Sequence, residues 1–563
     1  MRKGGISMKR FKIITMDFVG IMFVFAFLIA RYVSAVSIID SGTSEPANPV
    51  VGQEFYRTDL YAHEIYDGQW VRQDKEVRNV KAFGAKGDGI TDDRAAIQLA
   101  VNSVANAGGG IVYVPAGTYM IGGVGIKMLE NVAIIGAGMG KSVLKMTAGR
   151  AEGTHLLEND SFFNGNKRLI IADLTLDGNK ANQTAAGLTL IRFAKVTFSI
   201  VRNVELVHGR QHGIDMTDSN TDNLIIGNVI DDFGLGSVGF GIVAITNSHR
   251  NRIIGNWIRS QETGGGVTGI GIDDVTSGQP GISPSNENIV MGNTIVNTGI
   301  GIMIEGSHRN IIEGNTITNP ISIGIQVDEG QNLIAPIDNR VVNNVVVGPT
   351  TGQTQYGAIH VDGIGTVVEN NSITSFASPA SGILVSNISS GNQNRHIRIV
   401  GNQIDNTGIT LSGAGILVKE GRDISITGNR ITNIDQAPGI NLNLSGDITY
   451  LRIRDNYVAE ITRQIGIYVA DSGFTLKDVE ITDNIVVNVS KGNPAGDSGI
   501  VVAKSTGILD RVRVCRNRII DDQATPTTKF GVLLSGNPTN VEVIRNQVAG
   551  TTNGAVSGAP DGV

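Results

Sequence analysis

Four carboxylates stand at fixed offsets behind glycines. Asp215 and Asp273 lie two residues after Gly213 and Gly271, and Glu305 and Asp328 lie four after Gly301 and Gly324. If each glycine opens one turn of a stacked structure, equivalent residues in successive turns are about 4.8 Å apart. Glu305 and Asp328 are then expected about 5 Å apart, and Asp215 and Asp273 about 10 Å apart. Crowded carboxylates raise one another's pKa values, which leaves a proton donor near neutral pH beside an ionised base or nucleophile. Carboxyl pairs cleave glycosidic bonds at separations of about 5–5.5 Å with retention and about 6.5–9.5 Å with inversion. Asp215, Asp273, Glu305 and Asp328 are therefore the candidate catalytic residues. His212 and Asp232 are the candidate substrate contacts, and no residue is assigned to a metal. A solvated acidic face is the bland alternative. Against it, later turns place Leu384, Leu417, Tyr468 and Leu533 in this column. Asp274 falls at an inward position, where a carboxylate is costly unless paired. Either the strand bulges there or Asp274 supports Asp273.

The element that must position these groups is a repeat. Gly213-Ile214-Asp215-Met216, Gly241-Ile242-Val243-Ala244, Gly271-Ile272-Asp273-Asp274, Gly301-Ile302-Met303-Ile304 and Gly324-Ile325-Gln326-Val327 start at intervals of 28, 30, 30 and 23 residues. The pattern returns at Gly382, Gly415, Gly466 and Gly499. Period-two alternation excludes helical repeats, and the interval is too short for a propeller blade. A second strand in each unit ends at an asparagine: Asn228, Asn256, Asn293, Asn315, Asn371, Asn402, Asn429, Asn456, Asn484, Asn517 and Asn546. Side-chain amides in such a column bond their neighbours about 4.8 Å away, and asparagine tolerates the left-handed turn between sheets. The reading is an all-β chain, a single-stranded right-handed parallel β-helix of roughly a dozen coils.

Composition agrees. Of 563 residues 73 are glycine, 14 proline and one cysteine (Cys515), with a net charge of −6. Low proline and modest charge exclude collagen-like and disordered chains. The acidic balance argues against a nucleic-acid partner, and one cysteine excludes an intrachain disulfide. Lys9, Arg10 and Lys12 precede the apolar run Phe18 to Ala30, and Val33-Ser34-Ala35 suits a cleavage point. Residues 1–35 are thus expected to be a signal peptide or an N-terminal anchor, making the protein secreted or extracellular. Membrane contact is expected only if the segment is uncleaved. Residues 36–50 read as a linker and 51–76 as a small hairpin module turning at Asp67-Gly68.

Thr91-Asp92-Asp93 opens a helix over 93–106 that stops at Gly108-Gly109-Gly110, followed by the strand from Ile111 to Val114. The stretch from Val80 through Phe83-Gly84-Ala85-Lys86-Gly87-Asp88-Gly89 to Tyr119 resembles the N-terminal part of the pectate-lyase-like superfamily, of the type called pectate lyase 3. The resemblance implies a helix that caps the first coil over residues 77–150, with the remaining coils over 151–558. It also implies one of several activities: polysaccharide lyase, glycoside hydrolase, mannuronan C5-epimerase or phage tailspike. His212-Gly213-Ile214-Asp215-Met216-Thr217 resembles the epimerase pattern Tyr-Gly-Phe-Asp-Pro-His. Asp215 matches its aspartate, but Thr217 stands in place of its histidine, which leaves His212 as the base. Asp231-Asp232 resembles the aspartate pair of polygalacturonase-type hydrolases, at a spacing from Asp215 shorter than theirs. His249-Arg250 and His308-Arg309 recur at one frame position and are assigned to the scaffold.

The expected function is degradation of a polysaccharide by outward carboxylates of the β-helix, as a glycoside hydrolase. A uronate lyase or epimerase centred on His212 and Asp215 is the alternative, and a non-catalytic glycan-binding or tailspike-like protein is a third. The hydrolase needs no cofactor. A lyase would need Ca2+, for which Asp273, Glu305 and Asp328 offer oxygen ligands. The final residues show no capping helix, an arrangement that a homotrimer would protect.

Overall fold

The computed structural model describes residues 77–558 except 237–238, 263–266, 275–283, 330–333, 349–356, 376–380, 387–393, 406–412 and 493–496; before them it describes 40–42, 46–48, 54–57, 62–66 and 70–72. The expected signal segment lies outside the described residues, as does the Asp67-Gly68 turn. The chain divides into two units, 1–75 and 76–563. In the first, Asp40–Gly42, inside the stretch read as linker, is a strand pairing parallel with Glu54–Arg57. Glu54–Arg57 pairs antiparallel with Ala62–Tyr66, and that strand with Trp70–Arg72.

The second unit is a right-handed parallel β-helix. One strand per coil builds a 16-stranded sheet running from Ile126–Met128 to Gly554–Ser557, more coils than the dozen expected. The shorter strands of each coil stack into a 32-stranded sheet that forms the rest of the wall. A representative coil contains Ile300–Glu305, Ile311–Glu313 and Thr316–Thr318. Its inward side chains Ile302, Ile304, Ile312 and Ile317 are fully buried in one continuous core. That core supplies most of the stability, at roughly 25 cal/mol per Å² of apolar surface removed from water.

Stacking explains the glycines. A Cβ on Gly213 would stand 2.6 Å from the carbonyl oxygen of Gly241, on Gly241 2.7 Å from that of Gly269, on Gly269 2.5 Å from that of Gly301, and on Gly301 2.4 Å from that of Gly324. Only a residue without a side chain lets the coils approach at this column. The repeat unit therefore starts at Gly269, not at Gly271 as the sequence suggested. Two glycines at alternate positions made the frame ambiguous. Gly271 lies in the outward column between Val243 and Met303, where a Cβ would meet the Phe240 ring at 2.6 Å.

The asparagine column is an unbroken ladder. From Asn228 to Asn546, each Nδ2 donates to the next Oδ1 at 2.9–3.0 Å. Asn344, which lacks a preceding glycine, fills the step between Asn315 and Asn371. A second ladder joins Asn223, Asn251, Asn288, Asn310 and Asn339. At the adjoining corner Asp222, Arg250, Glu287 and Arg309 all take φ between 53° and 61°. Arg250 pairs with Asp222 at 2.8 Å and Arg309 with Glu287 at 3.1 Å, so both arginines belong to the wall.

The cap is the helix Arg94–Asn106, one residue shorter than expected. Asp93 instead turns its buried carboxylate to the backbone N–H groups of Lys86 and Gly87, at 2.6 and 2.9 Å. Ile97, Ala100, Val101 and Val104 pack against the first coils and close the core that would otherwise end in an open edge.

Candidate functional site

The 16-stranded sheet places the carboxylates, and the corrected frame changes which of them meet. Ile245 pairs with Asp273, Ile272 with Ile304, and Glu305 with Asp328. Asp273, Glu305 and Asp328 therefore occupy one column on three consecutive coils, each about 4.8 Å from the next. Asp215 does not join them. Its column runs through Val243, Gly271, Met303, Gln326 and His360, two residues earlier in each strand. The expected alignment of Asp215 with Asp273 fails because it rested on Gly271. Nor is that column open to solvent: Asp215, Gln326 and His360 are 8%, 7% and 0% exposed.

Glu305 is half-buried, Asp328 is buried and Asp273 is half-buried. Burial above all, then the charges of Asp328, Asp273 and Asp274, push the Glu305 carboxyl up to about 9, so it carries a proton at neutral pH. Gln326 donates its amide to Asp328 from the same strand, which fixes that carboxylate. The inward placement of Asp274 holds: it is fully buried beneath Gly306.

The column continues into residues that the sequence did not reveal. Val327 pairs with Val361, so Asp362 follows Asp328 on the next coil. Burial first, then Glu329, raises Asp362 to about 8. This coil escaped notice because Ala358 takes the place of the glycine. The signal was present nonetheless, in an aspartate four residues after Ala358.

At the N-terminal end of the same sheet, Lys127, Glu158, Arg192 and Asp215 are register neighbours of alternating charge. Lys127 pairs with Glu158 at 2.5 Å, and Arg192 lies 3.8 Å from Asp215. Both cations stand over the Phe162 ring, at 5.4 and 5.1 Å. Arg192 bonds His155 at 3.1 Å, and burial together with Arg192 and Lys127 lowers that imidazole to about 3. His212 is held below its ordinary value, chiefly by burial, and its Nδ1 accepts the Phe240 N–H at 3.1 Å. The neutral ring therefore carries its proton on Nε2, and the expected role of His212 as a base is withdrawn.

Asp232 stands elsewhere, on the strand Val229–Phe233 of the 32-stranded sheet. It accepts Lys180 at 3.0 Å in a 410 Å³ cavity that also contains Lys145, Asp177 and His208. Asp231 is held by Arg259 at 2.6 Å. The pair does not join the carboxylate column. Among the described residues no three of His, Cys, Asp and Glu converge to hold a metal ion.

Comparisons with known proteins agree with this architecture. Residues 77–354 match the family described as rhamnogalacturonase A/epimerase, pectate lyase-like, and residues 337–509 match the right-handed beta helix region. The chain belongs to the pectate-lyase-like superfamily of right-handed parallel β-helices. It is similar to mannuronan C5-epimerase AlgE6 of Azotobacter vinelandii, 43% identical over 110 residues, which are 18% of this chain and 13% of that protein. It is similar to the preneck appendage protein of Bacillus phage PZA, 35% identical over 156 residues, 26% of this chain and 18% of that protein. The match thus spans less than a fifth of either relative. Among solved structures, the tailspike of E. coli bacteriophage HK620 in complex with pentasaccharide superposes with a TM-score of 0.57 at 14% identity, covering 85% of this chain and 83% of that one. The N-terminal fragment of bacteriophage phi29 gene product 12 gives 0.52 at 17% identity, covering 85% and 92%.

Proposed function

We propose that this chain is an exported enzyme acting on a polysaccharide, and that it cleaves glycosidic bonds along the 16-stranded sheet. The observation that carries the reading is Glu305: a protonated carboxyl with an acidic neighbour on either side. Glu305 is the general acid that gives its proton to the departing glycosidic oxygen. Asp273, the more accessible neighbour, is the nucleophile, at a separation of about 5 Å that suits retention. Asp328, buried and held by Gln326, acts through Glu305 by keeping it protonated. Asp215 lies outside this group and is not given a part in bond cleavage.

The test is the release of reducing ends from a panel of bacterial and plant polysaccharides. Glu305→Gln and Asp273→Asn should each lower the rate by about 10²–10⁴-fold. Full activity in Glu305→Gln would overturn the reading.

A uronate epimerase or lyase is the second reading, and one observation favours it. Arg192 and Lys127 beside Asp215 supply the cations that a uronate carboxylate needs, in a chain similar over 110 residues to mannuronan C5-epimerases. Absorbance of an unsaturated uronate product, or proton exchange at C5, lost in Asp215→Asn and kept in Glu305→Gln, would favour it over the first.

A further inference from the structure

A groove of 580 Å³ lies away from Glu305, on C-terminal coils of the 32-stranded sheet. It crosses the strands Ile448–Arg454, Thr475–Thr482, Ile508–Cys515 and Val541–Ile544. Four coils span about 14 Å, and the volume falls within the range of ligand sites. Two columns of side chains wall it. Arg452, Glu480, Arg513 and Glu542 are register partners in turn, so charge alternates from coil to coil. Tyr450, Asp478, Arg511 and Asn540 form the second column, two residues earlier on each coil. Each arginine of the wall has an acid. Arg452 bonds Asp423 at 2.9 Å, Arg511 bonds Asp478 at 2.6 Å, and Arg513 lies 3.0 Å from Glu542. Arg452, Arg511 and Arg513 balance Asp478, Glu480 and Glu542, which leaves the lining without net charge.

The demands of the wall do not explain Tyr450. Its column turns through left-handed backbone, with φ of 56°, 52° and 60° at Asp478, Arg511 and Asn540. Asparagine and aspartate tolerate that conformation, whereas a bulky tyrosine at φ 58° is strained. Burial does not offset the strain, because Tyr450 stays 45% exposed. Arg422, from the coil before, stands over the ring at 5.4 Å and steadies it beside the groove. The same bend at Asp222, Arg250 and Glu287 makes a groove of 370 Å³, whose described lining has no aromatic side chain.

A ligand for this wall meets donors and acceptors in alternation and no excess of either charge. A polyanion would have to take the arginines from their acids, and a cation the reverse. An extended peptide recognises open backbone edges, which pairing between the coils has used. A sugar hydroxyl both donates and accepts. A pyranose ring also brings an apolar C–H face, and an exposed tyrosine offers it an apolar face with a polar tip.

We propose that this groove is a second glycan site, which binds an uncharged oligosaccharide with one sugar ring stacked on Tyr450. The site goes beyond cleavage at the 16-stranded sheet and stands independently of it, since its strands belong to the other sheet.

The test is calorimetry on the full chain carrying Glu305→Gln, so that no ligand is consumed, with hexamers of glucose, mannose and galacturonate. The glucose or the mannose hexamer should bind, with an affinity changed less than about twofold by added salt. Tyr450→Asn removes the ring and installs the residue type that Asn540 already places in this column. It should weaken binding about tenfold with no fall in unfolding temperature, and Tyr450→Phe should restore binding to within about twofold. The bound hexamer should also protect Tyr450 from nitration by tetranitromethane, a readout that needs no substitution in the groove. No binding of either neutral hexamer overturns the proposal, as do tighter binding of galacturonate, weakening by salt, or equal binding in Tyr450→Asn. Nitration of Tyr450 at the same rate with and without the hexamer overturns it too. So does an oligomer in sedimentation that Tyr450→Asn dissociates, which makes the groove a contact between copies of the chain.

Discussion

Glu305 and Asp328 are register partners at the ends of two parallel strands on adjacent coils, Ile300–Glu305 and Ile323–Asp328. Twenty-three positions apart in the chain, they are brought to about 4.8 Å by one turn of the helix. Neither could be a proton donor near neutral pH alone in water. Burial and the neighbouring charge together make Glu305 one.

Asp328→Asn removes the strongest of the charges acting on Glu305 while keeping its shape. The ionised form of Glu305 is then less disfavoured, and its pKa falls. The alkaline limb of the pH–rate profile should move to lower pH, with the rate at pH 5–6 changed by less than about tenfold. An unmoved limb would separate Asp328 from the proton donor.

Stability should decline with rising pH on account of the same group. The folded pKa of Glu305, about 9, lies above its ordinary value of 4.5. The folded state therefore holds the proton more firmly, and the stability present below pH 4.5 is lost as pH climbs toward 9. Asp362, raised to about 8, acts in the same direction. Glu305→Gln should leave the unfolding temperature unchanged at pH 4 and raise it at pH 8. The gain at neutral pH is expected to be on the order of 1–3 kcal/mol. Thermal unfolding at the two pH values checks it.

The corrected frame makes a separate prediction. An added Cβ at Gly269 meets the carbonyl oxygen of Gly301 at 2.5 Å, which belongs to backbone in a hydrogen-bonded sheet. At Gly271 it meets side chains and no backbone, Val243 at 3.3 Å and, more closely, Phe240, which is not fully buried. Gly269→Ala should cost about 2 kcal/mol or more, and Gly271→Ala about 1 kcal/mol or less. Denaturant midpoints with the order reversed would restore the frame first read from the sequence.

Asn315 sits mid-ladder, donating 2.9 Å bonds to Asn344 and to the carbonyl of Val290. Asn315→Ala removes the acceptor of the backbone N–H and Nδ2 of Asn293 and the amide donor to the Val290 carbonyl, while the backbone N–H of residue 315 still holds Oδ1 of Asn344. A loss of about 2–4 kcal/mol is expected in equilibrium unfolding, against less than about 1 kcal/mol for Asn546→Ala, where the ladder ends at the last coils.

Much of the wall was legible because stacking imposes identical demands on every coil. A column that forbids a Cβ must repeat glycine, and a column of buried amides must repeat asparagine, so Gly213 and Asn228 announce themselves. The site was legible only in part, because function breaks the repeat instead of obeying it. Asp273 was placed from the wrong glycine, since Gly269 and Gly271 both fit a period of two. Asp362 was hidden by Ala358, a residue small enough to fill the glycine column. His212 looked like a base until Phe240, twenty-eight positions on, occupied its Nδ1.

The most direct test is the carboxyl titration of Glu305 itself, followed by the ¹³C shift of selectively labelled glutamate Cδ, with Glu305→Gln to assign the signal. A resonance that stays protonated through pH 7 and titrates near 9, and that moves lower in Asp328→Asn, is the predicted result. A carboxyl that ionises near 4.5 in the folded chain would contradict it, leaving the column an ordinary solvated acidic face.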